Sequence, residues 1–450
     1  MASLQFGTSS YERARGDMPA LPVVNMIAEA APTEQTGVAL QSRAGLVDQA
    51  INMGAGPVRS LFRVDGFASG SLIGVSGLSL YKDTTLVGAI NGSGPVSIAG
   101  HAAGLGITAG ATPYYYDGTT LSAISFPDDA DVTRIVAGAS RLIFLRKDTG
   151  QFYWTPVLGS TVDALDFATA ESTNDNLLDA AFVDDKLILA GSRSIEIWPN
   201  TTDADLPFQP LEGLTIEKGV KSTGSLTPLG ESFAFVTNEN RVCFGTETNV
   251  VSNPGLDARI ADSLSCAAFK FLHDGAELLA VRLDNETQVW NPATGLWSEF
   301  ASYGENNWLP RCYTDGVFGS AGDGSILAFG SVSTDIDGPM ERRFRAAAAL
   351  NSGGRVIDNI RLRCNVGQTP YLTGDYTDPV VEMRLSRDAG KTWGIRIPRT
   401  LGAQGEYRTV VTWRGCGMAS QPGLMAEFRV TDPVDWRVSD VLYNEPYGGR

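Results

Sequence analysis

The eight residues Ser386-Arg387-Asp388-Ala389-Gly390-Lys391-Thr392-Trp393 follow the spacing Ser-x-Asp-x-Gly-x-Thr-Trp, known as an Asp box. The spacing has a physical reason: the Ser386 and Asp388 side chains can cap backbone N–H groups of a hairpin turn, Gly390 can take positive φ, and Trp393 can pack beneath. These are folding roles, and none of them requires a nucleophile or an acid. Ser386, Asp388, Gly390 and Trp393 are therefore read as a structural turn.

Sialidases and other glycosidase propellers also carry Asp boxes, so a sialidase-like propeller glycosidase is the competing reading. Such sites need an Arg cluster for a carboxylate with a paired Tyr and Glu, or two carboxylates facing the sugar. Glu406-Tyr407 and Arg342-Arg343 are of the right types, but nothing in their spacing brings them together. The two histidines, His101 and His273, read as turn or strand-end residues, and no G-x-S-x-G elbow accompanies them. With scattered thiols they lack zinc-ligand spacing. Gly104-Leu105-Gly106-Ile107-Thr108-Ala109 matches G-x-G-x-x-A, yet Gly110, Pro113 and three tyrosines follow where a dinucleotide site needs a helix. Glycines of a crowded inner strand are the better reading. Asp128-Asp129, Asp184-Asp185, Asp203 and Asp205 read as solvated turn carboxylates without the ligand spacing of a calcium loop. No catalytic, cofactor-binding or metal-ligating residue is nominated.

The elements that must hold these residues are strands. Fifty glycines, 22 prolines and 43% hydrophobic residues, with only 19% charged, describe a 450-residue chain full of turns and poor in helix formers. Its 35 basic and 51 acidic residues give a net charge of −16, and no Lys or Arg run could track a phosphate backbone. An acidic wall would suit DNA that must slide past it, although solubility alone also explains the charge. The five cysteines, Cys243, Cys266, Cys312, Cys364 and Cys416, are odd in number and widely spaced, and Met1–Gly16 has no export-leader pattern, so buried free thiols in a cytoplasm are expected. No apolar run approaches the roughly 20 residues that cross a bilayer.

An internal echo gives the architecture. Leu80-Tyr81-Lys82-Asp83-Thr84-Thr85-Leu86-Val87-Gly88-Ala89-Ile90 returns as Tyr115-Tyr116-Asp117-Gly118-Thr119-Thr120-Leu121-Ser122-Ala123-Ile124, and each half reads as a tight hairpin. A third copy runs from Leu142 to Trp154, with weaker relatives at Ile195–Asn200, Phe233–Val242 and Gln288–Trp297. Repeats of about 30 to 50 residues fit the four-stranded blades of a propeller, distorted because the spacing is irregular. The expected fold is all-β: an extended arm over residues 1–45, a β-propeller-like domain over 46–335 and a C-terminal β-sandwich over 336–450. Strands are expected at Ala347–Leu350 and Val356–Cys364.

Val24-Asn25-Met26 with Glu29, Ser42-Arg43-Ala44-Gly45-Leu46, the Tyr-Asp-Gly-Thr-Thr-Leu hairpin and Ser386–Trp393 come in a fixed order, followed by Leu401–Arg408, Val411-Thr412-Trp413-Arg414 and Phe428–Pro433. In that order they resemble the packaged-DNA stabilisation, or tail hub, proteins of short-tailed bacteriophages. Ala44, Ala389 and Gly415-Cys416-Gly417 depart from that pattern. The resemblance implies a structural protein of the head-to-tail junction rather than an enzyme. It also implies a homo-oligomer, a hexameric ring, with portal and adaptor proteins above and spike, fibre or plug proteins attached. Double-stranded DNA would pass through the channel without sequence-specific binding, and the protein would reside in the virion after assembly in the host cytoplasm. A carbohydrate-binding receptor protein is the remaining alternative.

Overall fold

The computed structural model describes residues 4–7, 9–10, 20–31, 37–211, 213–331, 333–336, 338–348, 354–368, 376–419 and 423–444. Most of them lie in antiparallel strands, and four-stranded sheets recur. Blade one spans Val58–Phe62 to Thr85–Ala89, blade two Ser97–His101 to Leu121–Ala123, and blade three Val132–Gly138 to Phe167–Thr169. Blade four spans Leu177–Val183 to Thr215–Ile216, blade five Leu226–Leu229 to Asn249–Val250, and blade six Cys266–His273 to Leu296–Phe300. Blade seven takes Pro310–Thr314, Val317–Ser320 and Ser325–Phe329 and borrows its fourth strand, Leu46–Asn52, from early in the chain. The first strand of each blade touches the first strands of the blades on either side, and blade seven returns to blade one. This is a closed β-propeller.

Its stability comes from the faces between blades. Separate apolar clusters fill the successive gaps: Leu105 and Ile107 pack with Ile73 and Val75 between blades one and two, and Phe271 packs with Phe318 and Leu327 between blades six and seven. The gap between blades seven and one holds Val317, Ile326, Met53 and Val58. A strand flanked by two blades is buried on both faces, so Leu142-Ile143-Phe144-Leu145 reads as an unbroken apolar run. The turns have a matching chemistry. Asp83, Asp148, Asp184, Asp185, Asp274 and Asp315 all take positive φ, a conformation that aspartate tolerates better than most L-residues.

The sequence echo marks real blades, but not always the same part of them. The first two copies are strands three and four of blades one and two, whereas Leu142–Trp154 is strands two and three of blade three. The first-strand interval runs from 35 residues, Ser97 to Val132, up to 49 residues, Leu177 to Leu226.

The remaining strands form a two-sheet sandwich. One sheet orders Val23–Val24, Arg342–Ala348, Leu424–Val430, Val380–Ser386 and Ile397–Thr400. The other orders Met26–Ala30, Val38–Ser42, Arg437–Tyr443, Arg355–Cys364 and Val411–Ala419. Phe344, Phe428, Trp413 and Trp436 fill the space between them. Val24 also pairs in parallel with Glu299, which makes the first sheet continuous with blade six. The expected arm over residues 1–45 is therefore replaced, where described, by strands in both sheets: Met26–Ala30 and Val38–Ser42 form a local hairpin, while Val23–Val24 and Val38–Ser42 find partners hundreds of residues away. Pro19, Pro32 and Leu350 lie outside the described residues. In the departure at Gly415-Cys416-Gly417, Gly415 and Gly417 take positive φ and the register with Arg355–Cys364 shifts, so the segment is a bulge.

Because Leu46–Asn52 closes the ring, a chain lacking residues 1–52 should expose the edge of Ser325–Phe329 and aggregate rather than unfold cooperatively. Size-exclusion chromatography with thermal unfolding of the truncated chain would check this.

Candidate functional site

Two early motifs meet where the propeller joins the sandwich. Arg43 is fully buried, and its five N–H groups all find acceptors. Two reach the Asp335 carboxylate at 3.1 and 2.9 Å, one reaches Asn25 Oδ1 at 2.8 Å, and two reach the carbonyl oxygens of Ala44 and Ala301 at 2.9 Å. The guanidinium lies 5.4 Å from the Phe300 ring centroid and 5.9 Å from that of Trp308. Asn25, held at a φ of 53°, accepts from Ala301 N–H and donates to Glu341 C=O at 2.8 Å. Asp335 accepts also from Leu46 N–H at 3.3 Å. One ion pair thus ties the closing strand of blade seven, the exit of blade six and both sandwich sheets. The bidentate geometry gives angular precision as well as attraction.

His273 ends the first strand of blade six beside this pair. Its Nε2 accepts from Ala44 N–H at 3.0 Å, its Nδ1 is 3.4 Å from Asp274, and its ring stands edge-on to Phe329. Burial lowers its pKa below 6.5, Asp274 opposes that shift and Arg43 adds to it. A base held neutral in the native state takes up its proton first when unfolded. Stability is therefore complete above pH 6.5 and is lost as the pH falls below it. Urea midpoints should drop between pH 8 and pH 5.5 by more in the parent than in His273→Gln, whose carbonyl can still accept from Ala44.

The Asp box turn is described in full. Ser386 Oγ accepts from Gly390 N–H at 2.8 Å and donates to Asp388 Oδ1 at 2.7 Å. Asp388 accepts from Thr392 N–H at 2.8 Å and from Thr392 Oγ1 at 2.6 Å, and the Thr392 bonds hold its carboxyl well below the usual range. Gly390 has a φ of 88° and Trp393 Nε1 donates to its carbonyl at 3.1 Å. Ala389 occupies positive φ without the freedom of glycine.

Trp393 leads to a charged lattice that the sequence reading missed. The Arg345 and Arg384 guanidiniums sit 4.7 and 4.9 Å from its ring centroid. Beneath them the Glu427 side chain, fully excluded from solvent, meets Arg384 at 2.7 Å, Arg345 at 2.8 Å, Arg396 at 2.9 Å and Arg343 at 3.6 Å. Burial alone would raise the Glu427 pKa, but the bonds from Arg384 and Arg345 prevail and bring it down to about 2. Arg429 extends the lattice to Glu382 at 3.0 Å and Glu341 at 3.3 Å. The signal was present: Arg343-Phe344-Arg345, Glu382-Met383-Arg384 and Glu427-Phe428-Arg429 share one period-2 pattern, charged on one face and apolar on the other.

The glycosidase elements stay apart. Arg342 is buried against the carbonyls of Asp432 and Val434, while Glu406 accepts from Ala403 N–H in a loop and Tyr407 is exposed. A cavity of about 310 Å³ between blades five and six holds Glu231 and Glu277, but Glu277 is bound to Lys270 at 2.6 Å and to Gly230 N–H. One of about 350 Å³ beside blade two holds Asp65 and His101, whose Nε2 lies 3.0 Å from Gly159 C=O. Gly104–Thr108 is a strand with no helix after it, and a side chain at Gly106 would press on Ile135 and Leu142. Among the described residues no three His, Cys, Asp or Glu side chains are grouped to hold a metal, and no helix is long and apolar enough to cross a membrane. All five cysteines are free, with Cys243, Cys266 and Cys416 buried and Cys312 and Cys364 half-buried.

The tail hub protein gp10 of Salmonella phage P22 is 27% identical over 188 residues, which span 38% of this chain and 39% of that protein. Among solved structures, BBS1N in complex with ARL6DN has a TM-score of 0.44 at 13% identity, over 65% of this chain and 99% of that one. PorZ of Porphyromonas gingivalis has a TM-score of 0.37 at 13% identity, over 70% of this chain and 44% of that one. A family model described as Bacteriophage P22 Gp10, beta-propeller, matches residues 3–295, from the first sandwich strands into blade six, and the chain belongs to that family of bacteriophage β-propeller proteins.

Proposed function

We propose that this chain is the tail hub of a phage head-to-tail junction, a component that closes the portal channel, stabilises packaged DNA and anchors tail parts. Copies would form a ring, six in number as the resemblance implies, around DNA that passes without sequence-specific contact. The ring would dock below the portal adaptor, and the sandwich would receive spike, fibre or plug proteins. The virion neck is its proposed location, reached after assembly in the host cytoplasm. For the domains, the limits 46–335 and 336–450 serve as the working division, with the strands of residues 1–45 assigned to the sandwich.

The observation that carries this reading is the buried Arg43–Asp335 pair, which makes propeller and sandwich one stiff body. A part that bears the pressure of packaged DNA needs such stiffness. A catalyst would need groups converging on an open site, and the candidate enzyme residues are tied to backbone or to ion pairs. Native mass spectrometry of the purified chain, alone and with portal and adaptor proteins, tests the proposal. A ring that adds to the neck complex supports it; a chain that stays monomeric and never joins the complex rejects it. Turnover in a screen of sialosides and polysaccharides would instead favour the glycosidase reading.

A further inference from the structure

Charge is divided unequally along this chain. Residues 46–335 hold 16 basic and 34 acidic residues, net −18, whereas residues 336–450 hold 16 basic and 13 acidic, net +3. Fifteen of those 16 basic residues are arginine, which favours flat, bidentate contact with carboxylates. The two parts of one polypeptide are therefore electrostatically complementary.

The surplus on the sandwich has a defined place. Arg384, Arg396 and Arg429 lie on the sheet face opposite the apolar core, each with about a quarter of its side chain exposed. Glu427 holds Arg384 and Arg396, and Glu382 and Glu341 hold Arg429, so little side-chain entropy is left to lose on binding. The adjoining Asp box turn adds the half-buried Trp393 ring, exposed Lys391 and Ile395, which is 82% exposed. An ordered arginine face with an aromatic and a large apolar side chain at its margin has the composition of a protein interface.

The complement lies on the propeller. Within a blade successive strands reverse direction, so the turns from first to second strand all lie on one face. Asp184, Asp185, Glu231, Asp274 and Asp315 occupy these turns in blades four to seven, and all are exposed. Blade four adds exposed Asp203 and Asp205 in its turn from third to fourth strand, on the same face.

We infer that the arginine face of the sandwich docks on the acidic propeller face of a second copy of this chain. The contact joins unlike surfaces, and such head-to-tail contacts close into rings when the rotation allows. The inference rests on the ring proposed above and names the surfaces that build it.

Sedimentation velocity of the full chain over a concentration series, at low and high salt, tests it with two variants. Lys391→Glu/Ile395→Glu changes only exposed side chains. Arg396→Gln removes one guanidinium and leaves Glu427 three others. The parent should associate, more weakly as salt rises, and both variants should need at least about tenfold more protein to associate, with unchanged circular dichroism. Lys391→Glu/Ile395→Glu should keep the parent's melting temperature, whereas Arg396→Gln, which takes one guanidinium from buried Glu427, should melt lower while staying folded. If the parent associates and the folded variants match it, this assignment of surfaces is overturned while the ring stands. If the parent remains monomeric at every concentration, the inferred contact between copies is overturned, and the ring then stands or falls on the measurement with portal and adaptor proteins. Retention of duplex DNA by a monomeric parent, lost in both variants, would overturn the inference in favour of a nucleic-acid surface.

Discussion

Arg43→Met should lower the stability of this chain by about 3–5 kcal/mol, because it leaves Asp335 buried with no cation beside it. The methionine fills much of the space under Phe300 and Trp308, so the loss reports charge and hydrogen bonding more than a void. The ion pair itself is not the source of that figure. Taking two charges out of water costs nearly what their attraction returns, so Arg43→Met/Asp335→Leu should recover part of the loss. What neither variant restores is the convergence of Ala44, Ala301 and Asn25 on one group. Limited proteolysis near residues 331–341 should therefore be faster in both variants, and denaturant unfolding should separate into two transitions. An Arg43→Met chain with the parent's single transition and midpoint would show that the joint is not held by this pair.

Glu427→Gln should have an effect of similar size, about 3–5 kcal/mol, for the opposite reason. Here the anion is lost and Arg343, Arg345, Arg384 and Arg396 are left crowded together with no carboxylate between them. The same carboxylate sets a pH response. Its folded pKa of about 2 lies below the ordinary 4.5, so its contribution is complete above pH 4.5 and fades as the pH falls through 4.5 towards 2. His273 acts from pH 6.5 downward, so the two groups operate in separate windows. Urea midpoints measured from pH 7 to pH 3 should fall in two stages, and the lower stage should be smaller in Glu427→Gln, with Asp388 and other hydrogen-bonded turn carboxylates supplying the remainder.

Local signals in the sequence carried the fold well. Hairpins such as Leu80–Ile90 declare themselves because strand, turn and strand are neighbours and because aspartate at positive φ is a local preference. The sheet positions of residues 20–42 did not, because Val23 finds Phe344 and Leu40 finds Val438, and no local pattern encodes a partner so distant. The same limit hid the joint. Arg43 stood within a family-like segment and Asp335 at the end of the expected propeller span, but only folding makes them neighbours. The Glu427 lattice was partly legible from the three period-2 triplets, yet their adjacency depends on the sheet order. The Asp box was readable whole, since its bonds span at most four residues.

The borrowed strand of blade seven also sets a timetable. A ribosome makes Leu46–Asn52 early, but the strand it must pair with, Ser325–Phe329, emerges only after six blades have been synthesised. The nascent chain has to carry that segment unpaired through most of translation, and contacts this distant in sequence form slowly. Met26–Ala30 and Val38–Ser42 can pair with each other at once, but their hairpin waits longer still for the next strand of its sheet, Arg437–Tyr443. Closure of the ring consequently follows the synthesis of blade seven, and a product terminated before Ser325–Phe329 leaves the ring unsealed.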